Sequence, residues 1–426
     1  MLDSAARGAV ACLMLAVLSP YALAQPASGE ALAQINLPEA LSRTLARSPS
    51  LRTQGFETSV AEALLEQSTF RPSPELDVEL ENALGTNEFR GLRGTVATVS
   101  LDWVLERGVR ERVIDAARAR VELSAVDVEI ARLDAAAETA RRFIDCLFFQ
   151  ANYRNAEADV ERAREAVEAV RRRVDASLAR EAELARAEAA LVRAELRLDD
   201  FSHELLSAYY RLSAQWGDTE PDFQAVAGEL TGMPLPESFE SLLSRIEQNP
   251  DLDALVSQSR LAEAEFNLAQ ARSRPSWEVS GGLRRIEPSD DWALVGGITV
   301  PLRMGNRNQG NIAATRATLA QVEASEQATR VRIETELFVL YQELNHNIEL
   351  AAGLEDEVAP RFETALSDTL RAFELGRSSY LELRVVETEL LDVAYEIVDA
   401  HANAYRLAIE IERLTGESLS PSPISE

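Results

Sequence analysis

A shift of 201 residues lays the first half of this chain on the second without gaps. Glu39, Leu41, Pro49 and Leu51 fall on Glu240, Leu242, Pro250 and Leu252; Ala61-Glu62-Ala63 falls on Ala262-Glu263-Ala264; Arg71, Pro74 and Val78 fall on Arg272, Pro275 and Val279. About ten identities in about forty positions mark a duplicated unit. The fold must therefore house the same supersecondary order twice. The units are expected over residues 25–217 and 218–416, followed by a tail at 417–426.

Each unit opens with a short amphipathic segment (Leu37 to Arg47; Phe239 to Gln248), broken by Ser-Pro or Asn-Pro because the residue before proline resists helix. A second helix runs to about Phe70 or Ala271. A Pro-bounded strand pair follows, near 75–103 and 276–302. Gly108 or Gly305 then precedes a very long helical hairpin, near 109–216 and 311–415, ending at Gly217 or Gly416.

Val109 to Val174 holds neither Gly nor Pro and is rich in Ala, Arg, Glu and Leu, all good helix formers. Those residues span about 100 Å as one helix. Apolar residues recur three and four apart (Val121, Val128, Ile130, Leu133), so a helix that long needs partners beside it. A turn at Asp175 to Arg180 returns the next helix, Glu181 to Trp216, antiparallel. The second turn falls at Leu375-Gly376-Arg377, and Gly353 and Pro360 predict a bend in its descending helix. The returning helix plus the earlier Ser50 to Phe70 helix is nearly as long as the descending one, so the two can lie beside it end to end.

The strand segments alternate. In Glu75 to Glu81, Leu76, Val78 and Leu80 share a face opposite Asp77, Glu79 and Glu81. In Gly94 to Trp103, Ala97, Val99, Leu101 and Trp103 oppose Thr98, Ser100 and Asp102. Trp277, Val279 and Leu283 share a face of the third strand, and Trp292, Leu294, Ile298 and Val300 of the fourth. This is the dyad pattern of a membrane barrel, apolar outside and polar inside. Three of the four Trp lie near strand ends, as in an interfacial aromatic belt. The competing reading is two hairpins on a soluble core. Four strands cannot close a barrel and lipid does not tolerate open edges, so membrane insertion requires several chains to share one barrel.

The N-terminus reads as a secretory signal peptide over 1–24: Arg7, the apolar run Ala9 to Leu18, Pro20, then Ala22-Leu23-Ala24. Cys12 lies inside that run, which leaves Cys146 as a lone thiol suited to packing. No later stretch reaches the roughly 18 apolar residues of a membrane helix. The balance of 71 acidic to 43 basic residues, net −28, argues against nucleic acid. It suits either a solvated surface or an acidic lumen that favours cations. No CxxC, HExxH, phosphate loop or GxSxG occurs, and His203, His346 and His401 sit in helical patterns without a nucleophile nearby. No enzyme, cofactor or resident metal is expected.

The order and wording of these segments resemble the TolC-type outer-membrane factors. The carriers are the paired openings "PEALSRTLARSPSL" and "FESLLSRIEQNPDL" and the strand entries "SPELDVELEN" and "RPSWEVSGGL". The junctions "VSLDWVLERGVRERVIDAARA" and "ITVPLRMGNRNQGNIAATRA" and the turn "FELGRSSYLEL" complete the set. "ELDVELEN", "LERGVRER" and the proline of the second descending helix are most similar to the heavy-metal-efflux, CzcC-like branch. The first turn, "DASLARE", departs from the pattern by lacking glycine.

The resemblance implies a mainly α fold with a small β part. Three chains would share a 12-stranded transmembrane barrel, four strands each, above a long periplasmic α-barrel. It implies a passive efflux conduit in the outer membrane, docked to a periplasmic adaptor and an inner-membrane RND-type pump. The cargo would be heavy-metal cations. Alternatives are a drug or type I protein-secretion conduit of the same fold and, in another class, a soluble periplasmic coiled-coil adaptor or scaffold. The adaptor-docking tip would comprise Ala176, Ser177, Leu178, Gly376, Arg377 and Ser378. Glu382, six residues past Gly376, falls where some relatives carry a gating carboxylate, with Glu183 its partner in the first unit. Leu76, Val78, Val99 and Leu101 are the expected lipid-facing positions.

Overall fold

A computed structural model describes residues 34–106, 108–234, 237–301 and 308–416. The expected signal peptide, the Gly305 junction and the tail at 417–426 lie outside the described residues. The first repeat comprises α1 (Leu37–Arg47), α2 (Pro49–Thr69), β1 (Glu75–Glu81), β2 (Val96–Leu105), α3 (Val109–Asp175) and α4 (Glu181–Ser213). The same order returns as α5 (Phe239–Arg245), α6 (Pro250–Ala271), β3 (Trp277–Ile286), β4 (Asp291–Thr299), α7 (Gln309–Gly353), α8 (Ala359–Glu374) and α9 (Tyr380–Thr415).

Local chemistry sets the element ends. Asn36 caps α1 by accepting from the Glu39 N–H at 2.9 Å, and Asn249 caps α6 by accepting from Asp251 N at 2.8 Å. Pro49 and Pro250 stand in the first turn of their helices, where a missing N–H costs nothing. The returning helices close on Gly217 (φ 88°) and Gly416 (φ 68°) in the left-handed conformation. A Cβ on Gly416 would stand 2.5 Å from the Gln248 carbonyl oxygen, so the backbone of the second opening segment excludes any side chain there.

The 67 residues of α3 run about 100 Å. Its buried positions Ala136, Ala140, Phe143, Leu147 and Gln150, and again Ala156, Val160, Ala163, Val167 and Val170, alternate steps of four and three. That 3.5-residue period keeps one seam against a neighbour only if the helices supercoil left-handedly. α2 and α4 lie along α3 as the lengths predict, and α6 and α9 pack on it from the second repeat. Arg413 joins the repeats by donating to Asp134 of α3 (2.7 Å) and Asp251 of α6 (3.2 Å). The expected bend in the second descending helix takes the form of a π turn, Leu354–Val358. The wider turn accommodates Pro360, whose ring would otherwise meet the carbonyl one turn back.

The main core lies midway along α3, where α1 and the last turns of α4 and α9 meet it. Phe143, Ile144, Leu147, Leu212, Trp216, Phe223 and Ile409 are buried together, with Cys146 among them. Burial, with Asp145 adding to it, pushes the Cys146 thiol far up, so it stays protonated and inert. The Gln150 amide fastens the connection after α4 to this core. Gln150 Nε2 donates to the Val226 carbonyl (3.1 Å), and its Oε1 accepts from Val226 N (2.8 Å) and Tyr209 Oη (2.7 Å). Val226 also forms a parallel bridge with Ile35. Gln150→Leu strands three buried polar groups, so it is expected to cost about 2 kcal/mol or more. The check is limited proteolysis, with faster cleavage within 218–234 than in wild type.

The four strands form one antiparallel sheet in the order β1-β2-β3-β4. β2 begins and ends two residues later than the alternation suggested. The register aligns Leu76↔Leu101↔Gly281↔Gly296 and Val78↔Val99↔Leu283↔Leu294.

Candidate functional site

The expected site residues fall in two parts of the molecule, the sheet and the hairpin turns. On the sheet, Leu76, Val78, Val99 and Leu101 share one face and are 66%, 59%, 46% and 39% exposed. Leu283, Trp292, Leu294 and Ile298 continue the same exposed apolar face. Trp103 and Trp292 sit six register steps apart on it, about 20 Å, near its two ends. Arg285, also on this face, stacks on Trp292 (5.4 Å to the ring centre) and pairs with Asp290 at the strand end. An arginine there reaches past the apolar zone to its edge.

The opposite face carries Glu75, Asp77, Glu79 and Glu81 on β1, Asp102 on β2 and Glu278 on β3. Arg284 stands among these acids, a residue the sequence reading passed over. It donates to Thr98 Oγ1 at 2.9 Å and lies 3.7 Å from Glu81. β1 and β4 each have one hydrogen-bonded neighbour among the described residues, so both outer edges of the sheet are open.

At the far end of the helices the structure brings the two turns together. α3 closes by Ser177 N to Val174 O (2.8 Å) and Leu178 N to Arg173 O (2.7 Å). α8 closes by Gly376 N to Phe373 O (3.0 Å) and Arg377 N to Ala372 O (2.8 Å). The bonds match one for one at a shift of 199 residues. Ser177 (φ 57°) takes the left-handed position that Gly376 (φ 72°) holds, so the turn without glycine adopts the same backbone. The serine pays about 1 kcal/mol for that conformation. Arg173 links the turns: its guanidinium lies 4.5 Å from the Phe373 ring centre and donates to the Phe373 carbonyl at 2.7 Å. Val167, Val170, Ala187, Phe373, Tyr380 and Leu383 pack beneath. The sequence marks Arg173 no differently from its neighbours Arg171 and Arg172.

An open groove of about 630 Å³ runs between α8 and α9 at this end. Ala372, Leu381 and Val385 give it apolar surface, with Asp368, Ser378 and Glu382 alongside. Glu382 is exposed and completes a capping box: its carboxylate accepts from Ser378 Oγ (2.7 Å) and Ser379 N (3.0 Å), while Ser379 Oγ accepts from Glu382 N (3.3 Å). The Ser378 hydroxyl first, then the Ser379 N–H, hold its pKa below the ordinary value. Glu183 occupies the matching place in α4, where Arg180 supplies no side-chain cap. Of the histidines, His203 and His346 are exposed, and His401 is buried with Nε2 3.1 Å from Glu355 of the π turn. Among the described residues no helix is long and apolar enough to cross a membrane, and no group of three or more His, Cys, Asp or Glu could hold a metal ion.

Comparisons with known proteins agree with this geometry. The sequence profile of the family described as outer membrane efflux protein matches residues 40–218 and 243–417. The chain is 26% identical over 414 residues to the cobalt-zinc-cadmium resistance protein CzcC of Cupriavidus metallidurans, covering 95% of this chain and 98% of that one. It is 26% identical over 298 residues to the nickel and cobalt resistance protein CnrC of the same organism, covering 67% and 68%. Its fold matches the crystal structure of the outer membrane protein VceC from Vibrio cholerae with a TM-score of 0.73 at 19% identity, covering 90% and 97%. The matched family is one of efflux proteins, not of enzymes. A duplicated, mostly helical chain with a small apolar-faced sheet, matched by the profile over both repeats, belongs to the outer membrane efflux protein family.

Proposed function

We propose that this protein is one subunit of a trimeric outer-membrane channel that passively conducts heavy-metal cations from the periplasm to the exterior. The observation that carries the channel reading is the sheet: an exposed apolar face, an acidic opposite face and two open edges, on a helical body about 100 Å long. In lipid such edges must be closed by further copies, and three chains supply twelve strands. The acidic face would then line the lumen and favour cations over anions.

Similarity to a cobalt-zinc-cadmium and a nickel-cobalt resistance protein, the first over nearly the whole of both chains, supports metal cargo. The groove beside the two turns is the proposed seat of a periplasmic adaptor, through which an inner-membrane RND-type pump delivers the cations. The test is deletion of the gene in its own host, followed by growth on cobalt, zinc and cadmium salts and on a lipophilic drug. Sensitivity to the metals alone supports this reading. Sensitivity to the drug alone assigns the chain to drug export, and loss of a secreted protein instead assigns it to secretion.

Glu382 and Glu183 are the proposed acidic ring at the periplasmic entrance. Hydrogen bonds within the chain favour the ionised form of Glu382, whereas convergence of three copies would oppose it. A multivalent cation relieves that repulsion. Glu382→Gln is therefore expected to lower cation preference and weaken block by a trivalent cation in planar bilayers. Unchanged selectivity and block would place the narrowing elsewhere.

A further inference from the structure

Between the tip and the core, α9 meets the first hairpin at a buried group of charges. Asp159 of α3 is 1% exposed. Its Oδ1 accepts from Arg384 Nη1 of α9 at 3.3 Å, across 225 residues of sequence. Its Oδ2 has no hydrogen-bond partner, and Arg197 Nη1 of α4 stands 4.0 Å away. The same Arg384 nitrogen also donates to Glu387 Oε2, one turn along α9, at 3.4 Å. One nitrogen thus serves two carboxylates, and both bonds are longer than the 2.7–2.9 Å of a well-made charged pair. The two bonds differ in what they hold. The bond to Asp159 crosses between the repeats, whereas the bond to Glu387 stays within one helix.

We propose that Arg384 is an acid-tightened clasp: as pH falls, Glu387 takes up a proton and releases Arg384, which turns wholly to Asp159 and binds α9 more firmly to the first hairpin. The groups facing Glu387 and Arg384 are Asp159 and Arg162 from α3, Arg197 from α4, and Tyr380 on α9 itself. Burial pushes the Glu387 pKa up; Arg384 and Arg162 oppose this, and Asp159 adds to the rise. A carboxyl whose folded pKa is raised binds its proton more readily folded than unfolded. Stability from this group therefore grows as pH falls through the folded pKa, and the gain is complete below the ordinary Glu value of about 4.3. This is opposite to an ordinary paired carboxylate, which loses stability in acid. The unmet Asp159 Oδ2 supplies the second acceptor for a bidentate arginine once Glu387 lets go. Because α9 begins at the tip turn, firmer seating there holds the entrance in its present arrangement. The clasp is independent of the cargo.

The test is hydrogen exchange, read by mass spectrometry on the full-length protein in detergent and corrected for intrinsic rates, over the start of α9. Wild-type protection at residues 380–390 is expected to rise severalfold from about pH 8 to about pH 4, most of it as Glu387 takes up its proton. Glu387→Gln mimics the protonated form and should be strongly protected at both pH values. Asp159→Asn should be weakly protected at both. Should Asp159→Asn not fold, Glu387→Gln decides alone. A Glu387→Gln protein that matches wild type at pH 8, or that is less protected at every pH, overturns the clasp. So does wild-type protection that is flat or falls with acid.

Discussion

Val99→Arg is expected to abolish assembly in the outer membrane, while Ser100→Arg, its immediate neighbour, is tolerated. Val99 lies in the middle of the exposed apolar face, paired with Val78 on one side and Leu283 on the other. An arginine on the lipid face near the bilayer midplane costs about 2–4 kcal/mol per copy. Arg285 escapes that cost because it sits at the strand end, with Trp292 and Asp290 to receive it. Ser100 projects to the other face. Its cross-strand partners are Asp77 and Gly282, so a guanidinium there gains a carboxylate and meets no side chain on the far flank. The measurement is heat-modifiable migration of protein extracted from outer membranes. Equal loss for the two variants would count against a barrel whose apolar face alone meets lipid.

Gly376→Val is expected to abolish efflux while leaving the amount of protein in the outer membrane unchanged. Gly376 has φ 72°, a conformation that a β-branched residue adopts only under strain. The cost of about 1–2 kcal/mol is too small to unfold a core that lies far along the helices. Relief of the strain must come from the turn itself, and the turn carries Arg377, Ser378 and the capping box on Ser379. Moving these displaces Glu382 and one wall of the groove. Gly376→Asn, which tolerates the left-handed region, should retain most activity. The readout is metal accumulation in cells alongside outer-membrane abundance. Normal efflux in Gly376→Val, combined with a bulky residue at Ser177, would detach the turns from docking.

Much of the architecture was legible because it rests on short-range rules. Proline and asparagine placed the breaks at Ser48 and Asn249, glycine placed the ends at Gly217 and Gly416, and strict alternation placed Leu76, Val78, Val99 and Leu101 on one face. The tip residues were legible as turns between two helical periods. That Ser177 would take the backbone of Gly376 was not, since serine has no intrinsic preference for positive φ. Closure by the Leu178 and Arg173 backbones imposes it. The π turn was foreshadowed by Gly353 and Pro360 only as a bend.

The sequence by itself determined that the unit is doubled, that each copy is a strand pair followed by a long helical hairpin, and that each strand has one apolar face. Those properties are periodic and local, so composition and spacing carry them. Only the tertiary structure decided which helices share a seam and which charges meet across it. The Gln150 clamp on Val226, the Arg173 bridge to Phe373 and the sharing of Arg384 between Asp159 and Glu387 join residues dozens to hundreds apart. Their meeting depends on the supercoil phase of helices tens of residues long. A phase error of one residue turns a side chain by about 100° around a 3.6-residue helix, so no local pattern can specify the pairing.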